Sequence, residues 1–353
     1  MKVVVSIDQL FRPSPGGIAS YVRGLLQGLR DLGGELDVRA LAPRGGLDAS
    51  LGVPQLHAPL PAQLLTRAWA LAPLGVPVDA DVVHATTLAG PFGGGRRGAV
   101  HSVALHDLLW RDQPETTTRR GIRFHETRLR RVLGRASLRL FTTAPGLDQR
   151  LADLGVAPER LHPVRLGVDD DTPVADAGAV RELLGAHGVA GPYTLYVGTR
   201  EPRKNLGRLA TAHAVARSRA EALGTLVIVG PTGWGEVDTA QARVLGPQSR
   251  SMLKALVRDA AVCAYVPLAE GFGLPPVEAL FAGTRVVVSR DVPSVLDNAE
   301  VVRVDPLDVE SIANGLERAL GLEDDALARA RRSASVGEYT WANCARDHLA
   351  GWR

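Results

Sequence analysis

The chain is built from short, unbroken apolar runs, each closed by glycine, proline or a polar residue and each followed by a stretch with helical spacing. The runs are Val3-Val4-Val5, Asp81-Val82-Val83-His84-Ala85, Ala99–Leu105, Tyr193-Thr194-Leu195-Tyr196-Val197, Thr225–Gly230, Ala261–Val266 and Thr284–Ser289. Strands this continuously apolar are buried on both faces, which is the habit of parallel sheets. Between them, Ile18, Tyr21/Val22, Leu25/Leu26 and Leu29 repeat at helical spacing, and Ala62–Ala72 reads as another helix. With Glu35–Ala42 as a further strand, the alternation predicts an α/β protein whose parallel sheets are covered by helices on both faces. Ligands on such sheets sit beyond the carboxyl ends of the strands, so the loops after the apolar runs are where chemistry is expected.

The 353 residues, 45% of them hydrophobic, suffice for two cores. A polar stretch after Arg165-Leu166-Gly167-Val168-Asp169, comprising Asp170–Pro173 and Ala175-Asp176-Ala177-Gly178, reads as a linker. It divides an N-terminal domain, 1–170, from a second βα series over 188–338. Lysine occurs only at positions 2, 204 and 254, so 41 − 3 = 38 of the basic residues are arginine while the net charge is only +3. That bias points to genome composition rather than to nucleic-acid binding, and no nucleic-acid partner is expected. Cys263 and Cys344 offer neither a disulfide framework nor a metal cluster, which fits a reducing cytoplasm. Asp8 interrupts the N-terminal apolar run too early for a signal peptide, and Arg67 and Asp79 break the longest membrane-span candidate, around Leu64–Val83. The expectation is a cytoplasmic protein, attached at most peripherally to the inner face of the plasma membrane.

The stretch Ala269-Glu270-Gly271-Phe272-Gly273-Leu274-Pro275-Pro276-Val277-Glu278-Ala279-Leu280 reads as strand end, glycine loop and helix start. Pro275 and Pro276 suit a first helical turn, and Gly271 and Gly273 let backbone approach a ligand. Unpartnered N–H groups at a helix start favour a phosphate. Glu270 and Glu278 bracket the loop at a distance suited to two parts of one elongated ligand, or else they serve only as a loop cap and a helix-dipole partner. The spacing E-G-F-G-L-P-P-V-E resembles the Glu-x7-Glu signature of the retaining GT-B glycosyltransferases of family four. The resemblance implies two Rossmann-like, doubly wound domains facing across a cleft. It also implies that Glu278 holds the ribose of a sugar nucleotide, that Glu270 faces the transferred sugar, and that the amides of Phe272, Gly273 and Leu274 meet the diphosphate.

Other segments carry the same resemblance. Thr199-Arg200-Glu201-Pro202-Arg203-Lys204-Asn205 sets two cations at the start of the helix Leu206–Arg217, where they oppose the helix dipole and call for an anion. In the resembled family the pair, here Arg203 and Lys204, stabilises the leaving nucleotide. Gly16-Gly17 would face the donor diphosphate and His106 the transferred sugar, with Asp107 beside it; His84, His101 and His125 have less claim. Pro231-Thr232-Gly233-Trp234-Gly235 resembles a loop near the nucleotide, Trp234 being either a stacking or a core residue, and 242–247 the region that meets the nucleobase through backbone atoms. Asp305-Pro306-Leu307-Asp308 and the tail Tyr339–Trp352 resemble the family's closing segments, which implies a last helix, about 340–353, packed back on the N-terminal domain. The chain departs from the pattern at Val266-Pro267-Leu268-Ala269, where Pro-Ser is usual, and at Val292-Pro293-Ser294-Val295, where a Glu is lost. Both leave the donor groups intact and put acceptor choice and loop shape in question.

The expected reaction is retaining transfer of a hexosyl group, mannosyl first, from a nucleotide diphosphate sugar such as GDP-mannose to a glycan or lipid-linked acceptor, without a cofactor or metal. Arg203, Lys204, His106 and Glu270 are the expected catalytic groups. The arginines of Thr117–Leu140, from Arg119 to Arg139, read as a solvated helix face or as a contact for anionic lipid, with Arg128, Arg131, Arg135 and Arg139 on one face. A dehydrogenase would need G-x-G-x-x-G after its first strand, where this chain has Pro15-Gly16-Gly17. A non-catalytic sugar-nucleotide or glycan-binding protein of degenerate transferase fold is the remaining alternative.

Overall fold

A computed structural model describes residues 1–12, 16–71, 78–169, 171–235, 237–239 and 241–353. Pro15, residues 72–77 and Asp170 of the segments read above lie outside the described residues. The chain forms two compact units, Met1–Asp169 with Glu338–Arg353, and Asp170–Gly337.

In unit 1 the elements run β1 (Lys2–Ser6), α1 (Gly16–Asp31), β2 (Asp37–Ala42), β3 (Gln55–His57), α2 (Ala62–Leu71), β4 (Val82–Ala85), β5 (Val100–Leu105), α3 (Leu109–Asp112), α4 (Arg119–Leu133), β6 (Arg139–Thr142), α5 (Leu147–Asp153) and β7 (Leu161–Pro163). Unit 2 holds α6 (Ala177–Ala186), β8 (Tyr193–Val197), α7 (Leu206–Arg219), β9 (Thr225–Val229), β10 (Arg243–Gly246), α8 (Arg250–Asp259), β11 (Val262–Tyr265), α9 (Leu274–Phe281), β12 (Val286–Ser289), β13 (Val301–Val304), α10 (Val309–Leu320) and α11 (Ala326–Ala334). The last helix, α12 (Trp341–Trp352), returns to unit 1.

Both sheets are parallel, with strand orders β3-β2-β1-β4-β5-β6-β7 and β10-β9-β8-β11-β12-β13. The central strands β1, β4, β11 and β12 are buried almost throughout, as their unbroken apolar runs require. In each sheet the order reverses once, beside β1 in unit 1 and beside β8 in unit 2. At such a reversal the flanking loops leave in opposite directions and open a crevice beyond the strand ends. In unit 2 that crevice lies between the loops after β8 and β11, which carry Arg203-Lys204 and Glu270–Gly273.

The return of α12 is made possible by glycines. A Cβ on Gly24 of α1 would lie 2.0 Å from the Trp341 ring, and one on Gly28 would lie 2.1 Å from the Trp341 carbonyl oxygen. With no side chain at either position, the indole and backbone of α12 settle directly on α1. Deeper in the contact, Trp352 Nε1 donates to Ser102 Oγ at 2.9 Å and Ser102 meets His84 Nδ1 at 2.8 Å. Tyr21 then bridges His84 Nε2 and His348 Nε2 at 2.8 and 2.9 Å, and His348 Nδ1 bonds the Cys344 carbonyl at 2.8 Å. A carbonyl only accepts, so His348 carries its proton on Nδ1 and Tyr21 must donate to Nε2. His84 therefore donates to Tyr21 and accepts from Ser102. The chain of donors begins and ends on α12.

Two expectations are corrected. The segment Ala177-Gly178, read as linker, is the first turn of α6, capped by Asp176 Oδ1, which accepts from the N–H groups of Gly178 and Ala179. A capping Asp followed by Ala and Gly has the composition of a loop, which hid the helix. The expected arginine face is also broken up. Helix α4 ends at Leu133, so Arg135 and Arg139 are not on it, and Arg139 opens β6. Arg128 is buried and donates to the carbonyls of Leu88, Trp69 and Gly90, while Arg135 and Arg139 donate to those of Phe92 and Gly351. Arg119, Arg120, Arg123, Arg130 and Arg131 remain exposed. No helix among the described residues is long and apolar enough to cross a membrane.

Candidate active site

The loop after β8 closes in a single tight turn, Pro202–Lys204, and reaches α7 through Asn205, which takes the left-handed conformation at φ 61°. Asparagine tolerates that conformation better than most residues. Its side-chain N–H₂ donates to the carbonyls of Val266 at 3.0 Å and Pro306 at 2.7 Å. The Leu268 amide also donates to the Arg203 carbonyl at 2.9 Å. The loops after β8 and β11 are thereby stitched together before any charged side chain is considered.

The charges then meet. Arg203 Nη1 donates to the Ala269 carbonyl at 2.8 Å and approaches Glu270 Oε1 at 3.4 Å, while Nη2 pairs with Glu201 Oε1 at 2.7 Å. Lys204 Nζ donates to Glu270 Oε2 and, at 2.6 Å, to Tyr265 Oη. Tyr265 O–H in turn donates to Glu270 Oε2, and the Gly271 amide to Oε1 at 3.1 Å. The Lys204 and Glu270 side chains are only 10% and 13% exposed. Burial alone would raise the Glu270 carboxyl, but the charges of Lys204 and Arg203 outweigh it and hold the group at about 2. The anion that two cations at a helix start demand is thus supplied within the unit, by Glu270 and Glu201.

The start of α9 is shaped by glycine and serine. Gly273 has φ +93°, and a Cβ there would sit 2.6 Å from Val292 Cγ1. The Ser294 amide donates to the Phe272 carbonyl at 3.0 Å and Ser294 Oγ to the Gly273 carbonyl at 2.7 Å. A trans peptide points its N–H opposite to its C=O, so fixing these two carbonyls aims the N–H groups of Gly273 and Leu274 away from Ser294. Those N–H groups belong to the cap and first residue of α9 and have no partner inside the helix. They form an anion-seeking edge on the loop that also carries Glu270. Ser294 lies in the segment where the sequence departs from the family pattern, and it is one of the residues that sequence reasoning missed.

Glu278, one turn into α9, pairs with Arg250 Nη1 at 2.6 Å, and its side chain is 14% exposed. Arg250 is the first residue of α8, just past the edge strand β10 that occupies most of 242–247. Arg203, Lys204, Glu270, Phe272, Gly273, Leu274 and Glu278 therefore all belong to unit 2, on two loops at the sheet's reversal and on α9, the helix that follows the second. Trp234 is 47% exposed and does not serve the core.

His106 and Gly16-Gly17 belong to unit 1. His106 follows β5 and spends both ring nitrogens inside the unit: Nε2 donates to the Thr86 carbonyl at 2.9 Å, and Nδ1 meets Thr143 Oγ1 at 3.0 Å. Burial lowers its pKa, so the ring is neutral and Nδ1 is an acceptor. Gly16 and Gly17 open α1, and Gly16 has φ +56° with no atom near the position of a Cβ. Asp107 caps the following turn through the Leu109 amide. His84 is buried in the network under α12, His101 Nε2 donates to the Gly94 carbonyl at 2.8 Å, and His125 stacks on Trp110. Among the described residues no group of three or more His, Cys, Asp or Glu side chains is placed to hold a metal ion.

Comparison with known proteins bears on the family and the fold. Residues 15–172 match the family model Glycosyltransferase Family 4, and residues 191–321 match Glycosyl transferases group 1. The O-antigen chain mannosyltransferase B of Escherichia coli is 27% identical over 265 residues, which is 70% of this chain and 69% of that protein. The MMP alpha-(1->4)-mannosyltransferase of Mycolicibacterium hassiacum is 30% identical over 295 residues, 79% of this chain and 66% of that protein. Among solved structures, the sucrose-phosphate synthase of Thermosynechococcus elongatus superposes with a TM-score of 0.70 at 19% identity, covering 99% of this chain and 98% of that one. Anabaena HepE in complex with UDP and glucose gives 0.69 at 17% identity, with the same coverage. At these identities the structural likeness speaks for the fold alone. The two matched families, the mannosyltransferase relatives and the pair of parallel-sheet units agree: the chain belongs to the family-four, group 1 glycosyltransferases of GT-B fold and is a glycosyl-transferring enzyme.

Proposed function

We propose that the enzyme moves a mannosyl group from a nucleotide diphosphate donor, GDP-mannose, to a hydroxyl of a glycan or lipid-linked acceptor in cell-surface polysaccharide synthesis, with the anomeric configuration retained. The observation that carries this reading is the union of Arg203, Lys204 and Glu270 in one hydrogen-bonded network at the reversal of unit 2's sheet, on the loop that leads into the N–H edge of α9. The mannosyltransferase relatives support the choice of sugar. In the reaction the anomeric carbon's bond to the diphosphate oxygen breaks and a bond to the acceptor oxygen forms. The acceptor's proton passes to the departing phosphate oxygen, so no separate base is named.

Negative charge grows on the leaving diphosphate as the sugar becomes oxocarbenium-like, and fixed donors aimed at that charge lower the barrier. Arg203, Lys204 and the amides of Phe272, Gly273 and Leu274 take this role. Glu278 exchanges Arg250 for the ribose hydroxyls, and Glu270 orients the transferred sugar. In unit 1, Gly16-Gly17 is assigned to the diphosphate and His106 to the sugar, where Nδ1 exchanges Thr143 for a sugar hydroxyl that donates to it. The exposed Arg119, Arg120 and Arg123 of α4 are assigned to anionic headgroups at a membrane surface.

The test is nucleotide release from GDP-mannose by the full chain, compared with Lys204→Ala and Glu278→Ala. Each substitution is expected to lower kcat/KM at least about a hundredfold, the scale of losing one preorganised transition-state donor or a charged ligand contact. Equal release by wild type and both variants would remove the assignment. A thermal-shift screen against GDP-, UDP- and dTDP-sugars decides the nucleotide, the largest shift being expected with GDP-mannose.

A further inference from the structure

Tyr265 closes β11 and none of the recognised motifs includes it. Its ring lies nearly parallel to that of Tyr196, with centres 6.0 Å apart, and it is 4% exposed. Its oxygen accepts from Lys204 Nζ at 2.6 Å, and its O–H donates to the same Glu270 oxygen that Lys204 holds. Lysine, phenol and carboxylate form a closed triangle at the carboxyl end of the strand. Burial, and after it the charge of Glu270, push the phenol far above its ordinary range, so it remains a neutral donor.

The triangle contains a conflict of duties. To grip a diphosphate, the Lys204 ammonium has to turn part of its hydrogen bonding away from Glu270. A carboxylate only 13% exposed then loses its nearest cation, and breaking one side of a buried pair is strongly unfavourable because the other charge stays behind. Tyr265 O–H relieves that cost. Together with the Gly271 amide at 3.1 Å and Arg203 Nη1 at 3.4 Å, it gives Glu270 donors that do not depend on Lys204. Its oxygen also fixes one of the three N–H directions of the ammonium, which restricts where the others point.

We propose that Tyr265 is a positioning residue that lets Lys204 exchange Glu270 for the donor's diphosphate, by keeping Glu270 hydrogen-bonded and by orienting the ammonium. The proposal rests on the diphosphate assignment made above and adds a partner exchange to it. Tyr265 acts through Lys204 and touches no sugar.

The experiment measures binding of GDP, GMP, UDP and UMP to the full chain by calorimetry. The quantity of interest is the ratio of diphosphate to monophosphate affinity for each base. For Tyr265→Phe this ratio is expected to fall about tenfold, the effect of losing one hydrogen bond to a charged group, with monophosphate affinity unchanged. In a Lys204→Ala background the same substitution is expected to cost nothing further, because its effect passes through the lysine. A wild-type ratio in Tyr265→Phe, an equal loss for mono- and diphosphates, or losses that add to those of Lys204→Ala would each overturn the proposal. If the wild-type chain itself does not prefer diphosphates, the diphosphate assignment falls and takes the proposal with it. Should Tyr265→Phe not fold, Glu270→Gln is measured instead: with no buried carboxylate charge to leave unpaired, the lysine is released at lower cost and the diphosphate-to-monophosphate ratio should stay at or above that of the wild type, whereas a fall of about tenfold would overturn the proposal.

Discussion

At the residue scale, the candidate groups of unit 2 were legible in the sequence but their partners were not. Arg203, Lys204, Glu270 and Glu278 stand in motifs whose spacing marks them. That Lys204 reaches Glu270 and Tyr265, more than sixty residues on, follows only from β8 and β11 lying side by side. The same holds for Ser294, whose segment reads as a departure from the family pattern yet directs two amides of α9. Ser294→Ala is therefore expected to weaken GDP binding about five- to tenfold, the worth of one lost orienting hydrogen bond, with melting temperature nearly unchanged; calorimetry checks it. Gly273→Ala should be far more damaging, because the added Cβ meets Val292 at 2.6 Å and the backbone sits at φ +93°. GDP affinity should fall at least about a hundredfold there, since moving the loop misaims both amides.

At the scale of elements, hydrophobic spacing located most helices and strands, and the errors came where composition misleads. A capping Asp with Ala and Gly disguised α6 as linker, and a run of arginines suggested a longer charged face than α4 possesses. The buried Arg128 cannot be foreseen from its neighbours, because the carbonyls that it satisfies belong to Leu88 and Gly90 in the loop after β4 and to Trp69 in the last turn of α2. The packing of α12 on α1 depends on two glycines whose role is equally silent in sequence. Gly24→Ala is expected to destabilise unit 1 by about 1–3 kcal/mol, the usual cost of overpacking a tight contact. It should also make the C-terminal helix the first site of proteolysis. Urea unfolding and limited trypsin digestion measure the two effects.

At the scale of the molecule, burial of neutral histidines sets the response to acid. Burial first, and then the neighbouring imidazoles of His348 and His106, lower His84 well below its ordinary value, and burial brings His348 and His213 to about 4. Unfolded, each would titrate near 6.5. Between these values the unfolded chain binds more protons than the folded one, so stability is fully present above about pH 6.5 and is lost as pH falls towards 4. Glu270, held at about 2, keeps its charge in the folded protein across that window, and its own contribution begins to be lost only below about pH 5, where an unfolded glutamate starts to bind protons. The urea midpoint should thus drop steeply from pH 6.5 to 4, and His348→Gln should flatten the slope; a midpoint that stays level until the carboxylates titrate would contradict it. By itself the sequence determined the two parallel-sheet domains and marked the charged residues that gather at the reversal of unit 2's sheet, because strand burial and loop motifs are local properties of the chain. Only the tertiary structure decided which charges neutralise one another, where α12 rests and which arginines reach solvent. Those outcomes depend on strand order and on close approach between segments far apart in sequence, and no local pattern encodes either.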